Sequence, residues 1–262
     1  MGLIQSWRHA YWNLLYWDSR FTWRLLRTVR LRSFVRCFWL FPVRRPGLAP
    51  ATTLDLRAGM DVVLRTYSSD PDVFKQVFID KQYDLPVPME RVRTLLDGGA
   101  NVGLSTLYFL MRCPNAFVLA LEPDPENYRY AIANTRVFAS RVRMLPMALW
   151  SREGQLDLVR GDAAWASSVR MSESPSLPVE GISIAGALQL CGWSQVDLIK
   201  LDIEGAEVEV LDAATPNTIH QGKCWAIELH SERARNRFEQ LFRPPEWCID
   251  THGEISVAMP VS

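Results

Sequence analysis

Beyond Pro88 the chain alternates short, mostly apolar runs with longer amphipathic stretches. Thr94-Leu95-Leu96, Phe117 to Leu121 and Val142 to Leu145 have the length of buried strands, and one helix follows Gly103 while another runs from Pro125 to Phe138. That order is βαβαβ, which predicts a parallel sheet with helices on both faces, joined by right-handed crossovers. Further strands are expected at Val196 to Leu201 and Cys224 to Leu229. A closing hairpin follows, built from Trp247 to Asp250, a His252-Gly253 turn, and Ile255 to Ala258. The fold class is α/β and doubly wound.

Upstream the pattern differs. Leu54 to Arg57 and Val62 to Arg65 alternate around Ala58-Gly59-Met60 and read as a hairpin. A helix should follow, with Asp70 as N-cap, Pro71 in the first turn and Val73, Phe74, Val77 and Phe78 on one face. Earlier still, Phe21, Leu25 and Val29 recur at helical spacing beside Arg20, Arg24 and Arg27. Pro42, Pro46 and Pro50 end that helix. Residues 1–46 are thus an Arg- and Trp-rich helical segment, and residues 47–262 the main domain.

Charge adds one asymmetry. The chain carries a formal net charge of +0, yet residues 1–45 hold a run of arginines against the lone acid Asp18, which leaves the remainder net acidic. A net-acidic domain repels phosphate, so nucleic acid is not an expected partner. Arginine interleaved with Trp7, Trp12, Trp17, Trp23 and Trp39 suits a bilayer headgroup interface; packing against the domain or against a second copy of the chain is the alternative. The cysteines Cys37, Cys113, Cys191, Cys224 and Cys248 are scattered without metal-site spacing, and no apolar run reaches about 18 residues. A cytoplasmic protein is expected, peripheral at the inner membrane face if the basic segment binds lipid.

The chemistry centres on Asp97-Gly98-Gly99-Ala100-Asn101-Val102-Gly103, where a buried strand turns into a helix. Glycines permit close backbone approach, and a helix start offers free N–H groups, so a cofactor site is implied at the strand's carboxyl end. A carboxylate at Asp97 would repel a pyrophosphate but can receive an ammonium group, which favours S-adenosylmethionine over a nicotinamide. Glu122, followed by Pro123, ends the second strand, where a carboxylate accepts hydrogen bonds from ribose hydroxyls.

A second constellation, Asp197 to Glu207, puts Asp202, Glu204 and Glu207 just past a buried strand. Lys200, Asp202, Glu204, Gly205 and Glu207 match the K-x-D-x-E-G-x-E run that marks the FkbM family of methyltransferases. Asp70 to Tyr83, Asp97 to Gly103, and Ala148-Leu149 ahead of Glu153-Gly154 agree with it in order. The resemblance covers residues 52 to 230. It implies the seven-stranded, mostly parallel, Rossmann-like sheet of class I methyltransferases and methyl transfer to a hydroxyl of a sugar, glycan or polyketide-like product. It also implies cofactor contacts from Asp97, Gly99, Asn101, Gly103, Glu122, Pro123 and Ala148.

Methyl transfer to oxygen needs a base at a strand's carboxyl end, and His230 and Asp202 meet that condition. His230 is favoured because its ordinary pKa lies near working pH, with Glu228 two residues away as orienting partner. Glu204, Lys200 and, in a Gly- and Ser-bearing connection, Trp165 are assigned to substrate. No metal is required by this scheme, although Asp202 and Glu204 can hold a divalent cation. Glu207 reads as an acid favoured by the following helix dipole. The competing functions are a cofactor-binding partner protein without catalysis and a nucleic-acid methyltransferase. For the latter, Asp202-Ile203-Glu204-Gly205 stands where a base-flipping tetrad would be expected.

Overall fold

The computed structural model describes residues 19–40, 51–159, 168–170 and 177–261. The described residues fall into two compact units divided between Lys81 and Gln82.

In the first unit the expected single helix is two, α1 (Ser19–Thr28) and α2 (Leu31–Leu40). The break has a hydrogen-bonding cause: Val29 bridges to Leu56, and the Arg30 N–H donates to the Asp55 carbonyl at 2.8 Å. Phe21, Leu25 and Val29 are buried as the spacing required. The hairpin pairs β1 (Ala51–Asp55) with β2 (Asp61–Arg65), Ala51 opposite Arg65 and Asp55 opposite Asp61. The Asp55 carboxylate accepts from Ser33 at 2.7 Å and from both Arg32 Nε and Nη2. These bonds tie the hairpin to α2 within the first unit.

Asp70 is not the N-cap of α3 (Asp70–Phe74); Ser69 is, without a side-chain capping bond. Asp70 instead turns back to Arg65, accepting from its backbone N–H at 2.8 Å and from its guanidinium at 3.0 and 2.8 Å. A buried guanidinium needs a carboxylate more than a helix end needs a cap. The helix then widens into a π turn over Lys75–Ile79.

The second unit contains a seven-stranded sheet. Its strands are β3 (Thr94–Gly98), β4 (Phe117–Leu121), β5 (Val142–Leu145), β10 (Leu198–Leu201), β11 (Trp225–Glu228), β12 (Trp247–His252) and β13 (Ile255–Pro260). The order is β12-β13-β11-β10-β3-β4-β5. β3, β4, β5, β10 and β11 run parallel, and β13 is antiparallel to both its neighbours. The helices α4 (Leu104–Arg112) and α5 (Pro125–Thr135) link β3 to β4 and β4 to β5. The chain steps outward from β3 in one direction to β5, then returns to β10 and steps the other way. The order therefore reverses between β3 and β10, and a crevice opens outside their carboxyl ends.

A four-stranded sheet that the sequence pattern did not announce lies between β5 and β10: β6 (Met147–Leu149), β7 (Gly154–Val159), β8 (Ser168–Arg170) and β9 (Leu177–Ile182), ordered β6-β9-β7-β8. After β9 come α6 (Ile184–Leu190), and after β10 the helices α7 (Glu207–Ala213) and α8 (Pro216–His220); α9 (Glu232–Leu241) follows β11. The main core packs Leu96, Leu119, Leu121, Ile199, Leu201 and Ile227 of the sheet against Leu188, Leu211, Phe238 and Phe242 of these helices and their ends. Burial of a large apolar side chain is worth about 1.5–3 kcal/mol, so this core holds the strand ends rigidly beneath the crevice.

Candidate active site

The glycine turn is held from below by a buried ion pair. Asp97 and Lys200 are 0% and 1% exposed, with Lys200 Nζ 3.1 Å from Asp97 Oδ1. Asp97 Oδ2 accepts from Ser105 Oγ at 2.8 Å and Thr106 Oγ1 at 2.6 Å, while Oδ1 lies outside hydrogen-bonding geometry with any side chain. Lys200 donates to the carbonyls of Gly99 at 2.6 Å and Gly98 at 3.4 Å. Burial alone would lower the Lys200 pKa, but Asp97 and then Asp202 outweigh it and hold the ammonium above its ordinary value.

Two glycines in this turn are required by space as well as by backbone. Gly99 has φ +81°, and a Cβ there would sit 1.9 Å from the Asp202 carbonyl oxygen. Gly103 has φ +79°, and its Cβ would meet Ala131 Cα at 2.8 Å, where α4 packs on α5. Asn101 between them also has positive φ, 50°.

At the end of β4, Glu122 Oε2 accepts the Asn101 N–H at 2.8 Å, and Oε1 accepts the Asp124 N–H at 2.9 Å and Asn127 Nδ2 at 3.4 Å. The carboxylate thereby fastens the glycine turn to the start of α5. Burial pushes its pKa up to about 7, against the lowering effect of those N–H donors.

Across the crevice, Asp202, Glu204, Glu228 and His230 converge. His230 Nδ1 lies 3.0 Å from Glu207 Oε1. Glu207 is completely buried and accepts backbone N–H groups from Ile203 and Gly205, each at 3.0 Å. With the Glu207 carboxyl already accepting two backbone N–H groups, Nδ1 is placed as the donor to it and Nε2 faces the acids. Nε2 stands 3.9 Å from Asp202 Oδ1, 3.7 Å from Glu204 Oε2 and 3.7 Å from Glu228 Oε1. Glu204 reaches the cluster from a left-handed backbone, φ 52°.

The electrostatics follow from this crowding. The Glu207 bond, opposed by burial and helped by Glu207, Glu204 and Asp202 charge, raises His230 to about 9. Burial, then the charge of Asp202, raises Glu204 and Glu228 each to about 7. Tyr83 donates its hydroxyl to Asp202 Oδ2 at 3.2 Å, and Gln82 Nε2 donates to Glu228 Oε2 at 3.0 Å. Burial, followed by the Asp202 charge, holds the Tyr83 phenol well above its usual pKa.

With these groups placed, the similarity to known proteins becomes specific. Residues 97–255 match the methyltransferase FkbM domain. The chain belongs to the FkbM methyltransferase family. It is 28% identical over 173 residues to methyltransferase sdnD of Sordaria araneosa, covering 53% of this chain and 66% of that protein. Methyltransferase 1 of Beauveria bassiana (strain ARSEF 2860) is 27% identical over 162 residues, covering 53% and 65%. The chain thus spans just under two thirds of the length of these relatives. A crystal structure of methyltransferase FkbM from Methylobacillus flagellatus KT is also similar, with a TM-score of 0.46 and 16% identity over 72% of this chain and 53% of that one.

Within this FkbM domain several sequence expectations change. Asp97 was expected to face a ligand ammonium and Lys200 to face substrate; both are sealed beneath the turn and paired with each other. Glu228 was expected to orient His230, but the partner on Nδ1 is Glu207, because the bend at Gly205 brings the first turn of α7 under the imidazole. The expectation of a histidine titrating near neutrality also gives way, since the surrounding carboxylates favour the imidazolium. Ala148 sits in β6 and packs with Leu156, Leu158 and Val179 of the small sheet. Pro123 is half-buried beside Glu122. Trp165 lies outside the described residues. The groups able to hold a cation include Asp202 as expected, but with Glu228 and His230 as companions in place of Glu204. Gln82 and Tyr83 were not foreseen as site residues, and they precede the matched stretch. A buriable phenol next to a strand-end acid was the available signal for Tyr83; nothing in the sequence marked Gln82.

Proposed function

We propose that the chain is an S-adenosylmethionine-dependent O-methyltransferase acting on a hydroxyl of a small molecule or glycan. The observation that carries this reading is the convergence of Asp202, Glu204, Glu228 and His230 directly across from the glycine turn, with Gly99 packed against the Asp202 backbone. The turn suits an adenosyl cofactor. Glu122 Oε2 keeps a lone pair beyond the one that the Asn101 N–H uses, which suits a ribose hydroxyl, and Gly99, Asn101 and Gly103 shape the adjoining backbone. The bound cofactor supplies a methyl group made electrophilic by its sulfonium.

The residues of the chain then have three tasks. The strand ends hold the acceptor oxygen in line with that methyl, which is where most of the rate gain from orientation arises. As the O–CH3 bond forms and the S–CH3 bond breaks, the carboxylates of Asp202, Glu204 and Glu228 would take up the hydroxyl proton, with the positively charged His230 ring beside them. Tyr83, Gln82 and Glu207 keep the cluster's side chains in place. No helix among the described residues is long and apolar enough to cross a membrane. Exposed Trp23, Leu31 and Val35 on α1 and α2, beside exposed arginines, support a contact of the N-terminal segment with an anionic lipid surface.

The deciding experiment is calorimetric titration of the full chain with S-adenosylmethionine and S-adenosylhomocysteine, followed by a scan of hydroxyl acceptors with methyl-labelled cofactor. Micromolar binding, weakened in Glu122→Ala, and label transferred to oxygen support the proposal. A folded protein that binds neither compound overturns it.

A further inference from the structure

The cluster across from the glycine turn contains a set of donor atoms that no step above uses as a set. Asp202, Glu228 and His230 each offer one ligand atom, and all three lie within 4.8 Å of one another. They come from two adjacent parallel strands, Asp202 directly after β10 and Glu228 and His230 at the end of β11, so the sheet itself fixes their spacing.

The second polar atom of every member is already engaged by a group outside the triad. Asp202 Oδ2 accepts from Tyr83, Glu228 Oε2 accepts from Gln82, and His230 Nδ1 is bound to the fully buried Glu207. The outward atoms are thus anchored, and Oδ1, Oε1 and Nε2 are turned inward. A histidine whose far nitrogen is held by a carboxylate, itself held by backbone N–H groups, is the arrangement that orients imidazole ligands toward metals.

The inward distances suit an ion better than they suit direct contact. Nε2 is 3.9 Å from Asp202 Oδ1 and 3.7 Å from Glu228 Oε1, too far for hydrogen bonds. Ligand atoms that share one ion at about 2.0–2.2 Å stand roughly 3–4 Å apart. Lys200, 3.7 Å from Asp202 Oδ2, is committed to Asp97 and the turn carbonyls, so a cation at the inward atoms would take the place of the proton on His230 Nε2.

We propose that Asp202 Oδ1, Glu228 Oε1 and His230 Nε2 bind a divalent cation, with Mn2+ preferred over Mg2+ because one of the three donors is an imidazole. Three protein ligands leave open positions, and on the methyl-transfer reading above, the acceptor hydroxyl occupies one. The cation then fixes the acceptor oxygen and makes its proton easier to remove, with no change of oxidation state. Glu204, whose Oε2 is 3.7 Å from Nε2, borders the open side.

The test is direct binding, independent of turnover. Full-length protein freed of metal with a chelator is titrated with MnCl2 and with MgCl2, followed by calorimetry and by loss of the free Mn2+ electron paramagnetic resonance signal. The expected result is one Mn2+ per chain with micromolar affinity, weakened at least tenfold in Asp202→Asn and in Glu228→Gln and unchanged in Asp212→Asn, a surface acid paired with Arg233. S-adenosylhomocysteine titration of the same variants shows whether each is folded, because that ligand binds at the other side of the crevice. Absence of Mn2+ uptake by wild-type protein overturns the proposal, as does uptake that both folded variants retain. If the metal-free protein still binds S-adenosylhomocysteine, such a failure leaves the methyltransferase reading standing.

Discussion

Glu122 makes the cofactor reading quantitative. Its carboxyl is raised to about 7 by burial, although it accepts N–H groups from Asn101 and Asp124. If a ribose hydroxyl donates to it, the ionised form binds and the protonated form binds poorly. At pH 7 about half of the ligand-free protein is then competent, and at pH 5 about one part in a hundred, following the ten-fold change per pH unit. The dissociation constant for S-adenosylhomocysteine should therefore rise about 50-fold between pH 7 and pH 5, a cost of about 2.3 kcal/mol. Calorimetry at constant ionic strength, with Glu122→Gln alongside, measures it. The variant should bind more weakly at pH 7, by about 10-fold or more, because a charge-assisted bond is worth about 1.5–3 kcal/mol, and its affinity should be nearly flat over the same range. A flat wild-type profile, or a slope that survives in the variant, would show that Glu122 does not carry the binding.

Glu122 acts on stability with the opposite sign. A carboxyl whose folded pKa is raised favours the folded state below its unfolded value of about 4.5 and loses that contribution as pH rises to about 7. Ligand-free protein should lose up to about 3 kcal/mol from this group across that window, read by urea unfolding. Lys200→Met strands Asp97 in the core and should cost about 3–5 kcal/mol, while Lys200→Met combined with Asp97→Asn should recover part of it; equal losses would mean that the pair does not matter. Gly99→Ala should abolish S-adenosylhomocysteine binding, because its Cβ falls on the Asp202 carbonyl. Gly59→Ala has a similar positive φ but open space, and should cost only about 1–2 kcal/mol and leave binding intact. The full chain should sediment with anionic phosphatidylglycerol vesicles and not with phosphatidylcholine ones, and Trp23→Ala should weaken this; indifference to lipid charge counts against the membrane contact.

The parallel sheet was readable because Leu95-Leu96, Phe117 to Leu121 and, apart from Lys200, Leu198 to Leu201 are apolar on both faces, a pattern that helix-covered strands impose. The four-stranded sheet was not, since β6 and β8 are three residues each and β6 pairs with β9, more than 30 residues away in sequence. At the site, residue types announced a cluster of acids at the strand ends. Their division of labour depended on geometry that spacing does not carry. Lys200 was assigned to substrate, yet the glycine turn closes over it. Glu207 looked like a helix-end acid, and only the left-handed residues Glu204 and Gly205 reveal why it reaches His230.

The packing of Gly99 on the Asp202 backbone has a bearing on how such a molecule can diversify. The wall between the two halves of the crevice is a single backbone thick, and with 1.9 Å between a notional Cβ and that carbonyl it admits no side chain. Position 99 is therefore closed to every side chain, and the approach of the turn to the end of β10 is set by backbone against backbone, like the gauge of a track.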